Sequence, residues 1–341
     1  MSELDVKKFQ KMLEENVKQD KFSGAALVIK NNEVIFEKVY GMADKSFGVP
    51  NKIDTKFNVG SLNKIITKTA ILQLVQQGKI GLDDLVGKHL SDFREDIATK
   101  VKIRHLISFT SGMGDYFGKK FDQSLGKLRK VSDFVPLFIE DPLLSEPGEK
   151  WNYSNAGYVV LGLIIEAVSG MDYYDYVMKN IYLPAGMKNS HHYEVDSVTE
   201  NLATGYTRHM PDDTIHPNKR RSNYFVIGSR GSPAGGGYST VHDWLLFDRA
   251  VTQEKILNSE FSKKVFMPLD ADPSKQPGAI AMAGGAPGLT ALYIKFFKLG
   301  YTFIVFSNYD PEDIEHLAEE IRDLVIPKSE QGKVVKMRED E

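Results

Sequence analysis

Residues 24–41 read GAALVIKNNEVIFEKVYG. Two runs rich in β-branched and aromatic residues are joined by Asn31-Asn32, residue types that tolerate positive φ in a tight hairpin turn. The far end of the chain repeats the device, with LTALYIKFF (289–297) and YTFIVFSN (301–308) flanking Lys298-Leu299-Gly300. Leu4, Phe9, Leu13 and Val17 recur at helical spacing, which predicts a helix over residues 3–20, and a second helix is expected from about residue 311 to 325. Between the hairpins, helical patterns run over residues 61–77, 133–140, 156–169, 173–182 and 241–253. The simplest assembly is an α+β fold. The terminal hairpins pair in one antiparallel β-sheet flanked by the N- and C-terminal helices, with an inserted, mainly α-helical lobe. The expected divisions are a discontinuous sheet lobe (1–60 and 241–327), a helical lobe (61–240) and a charged tail (328–341), with a cleft between the lobes.

Composition narrows the function. In 341 residues, 43 Lys and Arg stand against 46 Asp and Glu, so the net charge of -3 provides no field to gather nucleic acid. The chain has no cysteine, which excludes thiolate catalysis, disulfides and Cys-ligated metal. No stretch approaches the ~18 apolar residues that a membrane span requires. The first residues lack an export-signal pattern, so compartment and oligomeric state stay open. The eight histidines are scattered, and the adjacent pair His191-His192 tends to point in different directions; no metal and no cofactor are expected.

The chemistry concentrates in Asn58-Val59-Gly60-Ser61-Leu62-Asn63-Lys64, which runs into a long apolar-periodic helix. Residues three apart on a helix share a face, so the Lys64 amine reaches the Ser61 hydroxyl, a nucleophile beside a base. Lowering a lysine pKa from about 10.4 to about 8 requires roughly 3 kcal/mol of differential destabilisation of the ammonium, which burial supplies. A second match, Ser124-Leu125-Gly126-Lys127, has an internal glycine and a polar continuation that make a poor buried helix start.

Two further groups join it. Tyr153-Ser154-Asn155 sits before the helix that begins near Ala156, where a tyrosine oxygen can shuttle a proton and an amide can hold lysine and substrate. Taken singly, Tyr153 reads as a packed aromatic and Asn155 as a helix N-cap. Ala283-Gly284-Gly285-Ala286-Pro287-Gly288 reads as a Gly-rich turn before the Leu289 strand, where one N–H can join the Ser61 N–H in stabilising an oxyanion.

With these elements in this order, the chain resembles the serine β-lactamase and penicillin-binding protein superfamily, in the branch of class C β-lactamases, DD-peptidases, D-aminopeptidases and esterases. The resemblance covers about residues 20–325. It is anchored by Ser61–Lys64, by His105-Leu106-Ile107-Ser108-Phe109-Thr110-Ser111-Gly112, by Tyr153–Asn155 with Ala156-Gly157-Tyr158, and by residues 231–240. It implies Ser61 as the acylated nucleophile, Lys64 as its base, Tyr153 as general acid/base, and Asn155 with Gly284 and Gly285 as substrate contacts. Ser61 and Gly285 would then supply the oxyanion hole. The family's third motif carries Lys or His where this chain has Met282, a thioether that can neither hold a substrate carboxylate nor poise Tyr153. Phe109, where relatives often carry a polar residue, is a second departure, and Arg230 is a candidate replacement cation.

The expected function is therefore serine hydrolysis of small esters, amides or D-amino-acid peptides through an acyl-enzyme at Ser61, with poor β-lactamase activity. The alternative is a catalytically decayed ligand-binding or scaffolding member of the same fold. Relatives exported to the periplasm or outside the cell leave such a location open.

Overall fold

The computed structural model describes residues 5–212, 214–272, 277–313 and 316–326; Leu4 and the 328–341 tail lie outside the described residues. Helix α1 (Val6–Lys18) starts at Asp5, whose carboxylate accepts from the Lys7 and Lys8 N–H groups, and it buries Phe9 and Leu13. Strands β1 (Gly24–Lys30) and β2 (Glu33–Tyr40) turn through Asn31 and Asn32, both at positive φ (46° and 72°), the geometry that a two-residue hairpin demands.

Helices α2 (Lys64–Gln76), α3 (Asn155–Ser169) and α4 (Val241–Thr252) follow. The chain then returns through β3 (Ala279–Ala286), β4 (Leu289–Phe296), β5 (Tyr301–Ser307) and α5 (Leu317–Val325). The five strands form one antiparallel sheet in the order β2-β1-β5-β4-β3. The terminal hairpins meet at β1 and β5, with Gly24 opposite Ser307 and Lys30 opposite Tyr301.

The central strands are apolar at nearly every position because each face meets its own core. Ala25, Leu27, Ile29, Ile304 and Phe306 point into the core shared with α2, α3 and α4. Ala26, Val28, Phe303 and Val305 point the other way, against Phe9 and Leu13 of α1 and Leu317 and Ile321 of α5. Successive side chains on a strand alternate faces, so one run serves two cores.

Three local expectations are corrected. Residues 279–286 form an edge strand, so Gly284 and Gly285 lie within β3, and the turn is made by Pro287 and Gly288, the latter at φ 76°. Residues 131–137 are a 3₁₀ segment containing Pro136, which has no N–H for an α-helical bond. The segment read as one helix over 173–182 is an α-turn (Tyr173–Val177) passing into a π-turn (Met178–Tyr182). Among the described residues, no single helix is long and apolar enough to cross a membrane.

Candidate active site

Ser61 lies in a 3₁₀ turn (Gly60–Asn63) that runs directly into α2. The turn is built by Asn58, whose side-chain oxygen accepts the Gly60 N–H at 3.0 Å, and by Gly60 itself, at φ 50°. That backbone suits glycine, and a Cβ at position 60 would also meet the Leu289 side chain at 2.9 Å and Gly285 N at 3.0 Å. Strand β3 closes on the same turn. A Cβ on Gly284 would lie 2.1 Å from the Val59 carbonyl oxygen and 2.8 Å from Ser61 N. Gly284 is thus the contact that lets the edge strand pass beside the serine, and Gly285 follows it.

The Lys64 amine, almost fully buried, lies 3.2 Å from Ser61 Oγ, 2.5 Å from Asn155 Oδ1 and 2.6 Å from the Ala234 carbonyl oxygen. Tyr153 OH donates to Ser61 Oγ at 2.8 Å. Ser61, Lys64, Tyr153 and Asn155 are therefore brought into one hydrogen-bonded group from two separate chain segments. Burial pushes the Lys64 pKa down to about 7, against the opposing pull of the Asp115 carboxylate. A neutral amine has two N–H donors and one lone pair. Asn155 Oδ1 and the Ala234 carbonyl can only accept, so they take both donors and leave the lone pair for the Ser61 hydroxyl. The geometry can thus move the serine proton onto nitrogen.

The Tyr153–Asn155 loop is held by the segment that contains Phe109. Asn152 N donates to the Phe109 carbonyl at 2.7 Å, Asn152 Nδ2 to the Met113 carbonyl at 2.9 Å, and Ser154 Oγ to the Gly114 carbonyl at 2.7 Å. Ser154, rather than Asn155, caps α3, its Oγ accepting from Gly157 N at 2.9 Å. That leaves the Asn155 side chain for Lys64. Phe109 adopts φ 58°, an uncommon conformation for a non-glycine residue, and its ring stacks on Tyr153 at 4.8 Å and on Tyr158 at 5.4 Å. The residue read as a departure is thus an aromatic support for the tyrosine.

Sequence reasoning missed two members. Asp115 Oδ2 accepts from Asn155 Nδ2 at 2.6 Å, which turns the amide so that its oxygen faces Lys64. Ala234 lies in the 231–240 stretch already singled out, but a backbone carbonyl leaves no side-chain signature. Asp115 follows the His105–Gly112 anchor by three residues, and that proximity was the available signal.

Other candidates fall elsewhere. Met282 shares the face of β3 with Gly284, two residues away, and packs partly buried against the core. Arg230 donates through Nε to the His192 carbonyl at 2.9 Å, and its guanidinium lies 3.6 Å from the Tyr174 ring centroid. Ser124 spends its hydroxyl on the Lys120 carbonyl. His192 is buried and His191 half-buried. Among the described residues, His209, Asp310 and Glu312 bring three metal-capable atoms within 4.8 Å of one another. The Asp310 oxygens already accept from Gly288 N, Arg208 N and Arg220, whose charge competes with any cation.

Comparison with known proteins agrees with this architecture. The Beta-lactamase family matches residues 9–319. Penicillin-binding protein 4* of Bacillus subtilis is 29% identical over 333 residues, covering 91% of this chain and 73% of that protein. The crystal structure of a penicillin binding protein from Bacillus halodurans superposes with a TM-score of 0.78 at 27% identity, covering 91% of this chain and 98% of that one. The D-amino acid amidase of Ochrobactrum anthropi gives a TM-score of 0.74 at 22% identity, covering 92% and 98%, a likeness of fold. The chain belongs to the Beta-lactamase family and is a serine hydrolase built on that fold.

Proposed function

We propose that the protein hydrolyses small esters or amides through an acyl-enzyme at Ser61. The observation that carries this reading is the buried Lys64 amine, whose two other partners can only accept hydrogen bonds, set 3.2 Å from a serine that also receives the Tyr153 hydroxyl.

In acylation, the Ser61 proton passes to the Lys64 lone pair as Oγ bonds to the substrate carbonyl carbon. Negative charge then develops on the carbonyl oxygen, where the Ser61 N–H and the Gly285 N–H of the edge strand receive it. Removing one such donor typically costs about 2.7–4 kcal/mol of transition-state stabilisation. Collapse of the intermediate breaks the bond to the leaving group, which takes a proton from Tyr153, and the Lys64 ammonium gives its proton to the resulting phenolate. In deacylation, water attacks the ester carbon and its proton passes to the Lys64 lone pair by way of the Tyr153 hydroxyl; as the bond to Ser61 Oγ breaks, Lys64 returns that proton to the serine.

Met282 supports the finer reading. A thioether supplies neither charge nor a hydrogen-bond donor, so a β-lactam carboxylate finds no partner on this strand face, and turnover of β-lactams should be slow relative to simple esters. The intact Ser61–Lys64–Tyr153–Asn155 group favours a working hydrolase over a decayed binding protein.

Intact-mass spectrometry after exposure to a fluorophosphonate tests the reading. One adduct is expected on the wild-type protein and none on Ser61→Ala. A folded wild-type protein that takes up no adduct, or an adduct that persists in Ser61→Ala, overturns it.

A further inference from the structure

We infer that Thr67 and Tyr173 are positioning residues for the acylation proposed above: through the Pro233–Ala234 peptide they hold the Ala234 carbonyl on the Lys64 amine and so keep its lone pair aimed at Ser61. The inference rests on the hydrolase reading and adds to it two residues that act on the base through the backbone.

The stretch that carries the Ala234 carbonyl is fastened at several points. Thr67, three residues beyond Lys64 on α2, donates through Oγ1 to the Pro233 carbonyl at 2.6 Å. A threonine has one hydroxyl proton, so the Tyr173 hydroxyl, 2.7 Å from the same Oγ1, is the donor of that pair. Asn63 Nδ2 extends the chain, 3.4 Å from Tyr173 OH and 3.4 Å from the Ser232 and Pro233 carbonyl oxygens. The donors therefore run one way, from Asn63 to Tyr173 to Thr67 to Pro233. The other end of the same peptide is tied as well. Ala234 N donates to Ser232 Oγ at 3.1 Å, and Ser232 Oγ lies 3.0 Å from Tyr116 OH. Pro233 seats against α3 where Gly162 leaves room, since a Cβ there would lie 2.2 Å from the Pro233 Cγ. With the Pro233–Ala234 peptide fixed at both its oxygen and its nitrogen, the next carbonyl, that of Ala234, is left pointing at Lys64 Nζ, 2.6 Å away.

Asn63, Thr67, Tyr173 and Ser232 are all buried, so breaking this chain leaves a polar group without water to replace its partner. Burial pushes the Tyr173 pKa up to about 12, so its hydroxyl stays protonated from pH 5 to 9. The ionisable groups that face Lys64 are the Asp115 carboxylate and the Tyr153 and Tyr158 phenols, and substitutions at 67 and 173 replace none of them. Withdrawal of the Ala234 carbonyl changes the base in two ways. The neutral amine loses one of the acceptors that orient it, so its lone pair turns from Ser61 and the labelling plateau falls. The ammonium loses a stronger, charge-assisted bond, so the midpoint of the pH profile moves down.

The test follows labelling of Ser61 by a neutral fluorophosphonate from pH 5 to 9 by intact mass, with circular dichroism to check the fold of each variant. Thr67→Val keeps the branched side chain and removes the donor; its plateau rate should fall about tenfold or more, with a lowered midpoint. Thr67→Ser restores the hydroxyl and should recover both. Tyr173→Phe should move both in the same direction, with a fall of about threefold in rate. Thr69 spends its hydroxyl on the Ile65 carbonyl of its own helix at 2.8 Å, so Thr69→Val should label as the wild type does. Wild-type plateau and midpoint in Thr67→Val overturn the proposal, as does a midpoint that moves up, the result of water entering at Lys64, or an equal loss in Thr69→Val. Should Thr67→Val fail to fold, Tyr173→Phe decides by the same criteria. Absence of wild-type labelling would instead sink the acyl-enzyme reading, so the two failures are separable.

Discussion

The Lys64 amine predicts how acylation depends on pH. Displacement from 10.5 to about 7 corresponds to a differential destabilisation of the ammonium on the order of 5 kcal/mol, supplied by burial and opposed by Asp115. Only the neutral amine accepts the Ser61 proton. With a midpoint of about 7, about 1% of the amine is neutral at pH 5 and about 90% at pH 8, so the labelling rate should rise close to 90-fold between them and then level off. An uncharged fluorophosphonate keeps probe ionisation out of the profile, and circular dichroism at each pH checks the fold.

The same environment fixes the sign of a perturbation. Asp115 favours the ammonium, so Asp115→Asn removes that support and the midpoint moves to lower pH. At pH 5 the variant should label faster than the wild type, although it has lost a charged group beside the site. A flat wild-type profile from pH 5 to 9, or a midpoint that moves upward in Asp115→Asn, would refute the assignment of Lys64 as the base. Linkage runs in the matching direction. A lysine depressed in the folded state binds fewer protons there than in the unfolded chain, so its contribution makes folding stability climb as pH rises from about 7 to 10.5.

Two other perturbations probe the edge strand. Gly284→Ala drives a methyl group to within 2.1 Å of the Val59 carbonyl oxygen, so the strand or the serine turn must shift; a loss of about 1–3 kcal/mol in urea unfolding and a sharp fall in labelling are expected, and wild-type values for both would contradict the close approach. Met282→Lys places a cation on the strand face shared with Gly284, and acylation by a penicillin should quicken about tenfold or more while labelling by the neutral probe changes little. Equal effects on both reagents would show that position 282 does not meet the carboxylate.

The fold was largely legible because its two hairpins carry strong local signals, Asn31-Asn32 at one end and a glycine-bearing connection at the other, and because amphipathic helices flank them. β3 was less legible. AIAMAGGA lacks β-branched and aromatic residues apart from one isoleucine, and its pairing with β4 along residues 279–286 is a tertiary outcome that local preference does not encode. Within the site, Ser61 and Lys64 were readable because helical spacing alone brings them together. Tyr153 and Asn155 needed the family resemblance, since nothing local ties a loop to a helix some 90 residues earlier. Asp115 and the Ala234 carbonyl were not read at all. One acts through an amide's second arm and the other through the backbone, and both depend on contacts across more than 39 residues.

The distribution of charge ties these features together. If the resting base is largely neutral above pH 7, the Ser61–Lys64–Tyr153–Asn155 group contributes little net charge, and Asp115 leaves the site negative. An anionic substrate then meets two disadvantages of the same sign, a missing cation at Met282 and a carboxylate beside Asn155. A cationic substrate meets neither. Binding such a substrate places a positive charge near Lys64 and adds to the force that holds the amine unprotonated, so a free-amine ester should lower the midpoint of its own acylation relative to a neutral ester of the same shape. Substrate charge and base strength are in that sense coupled through one carboxylate. The coupling appears as a difference between the pH profiles of kcat/KM and of kcat for the amine-bearing substrate alone, because only the second reports the complex.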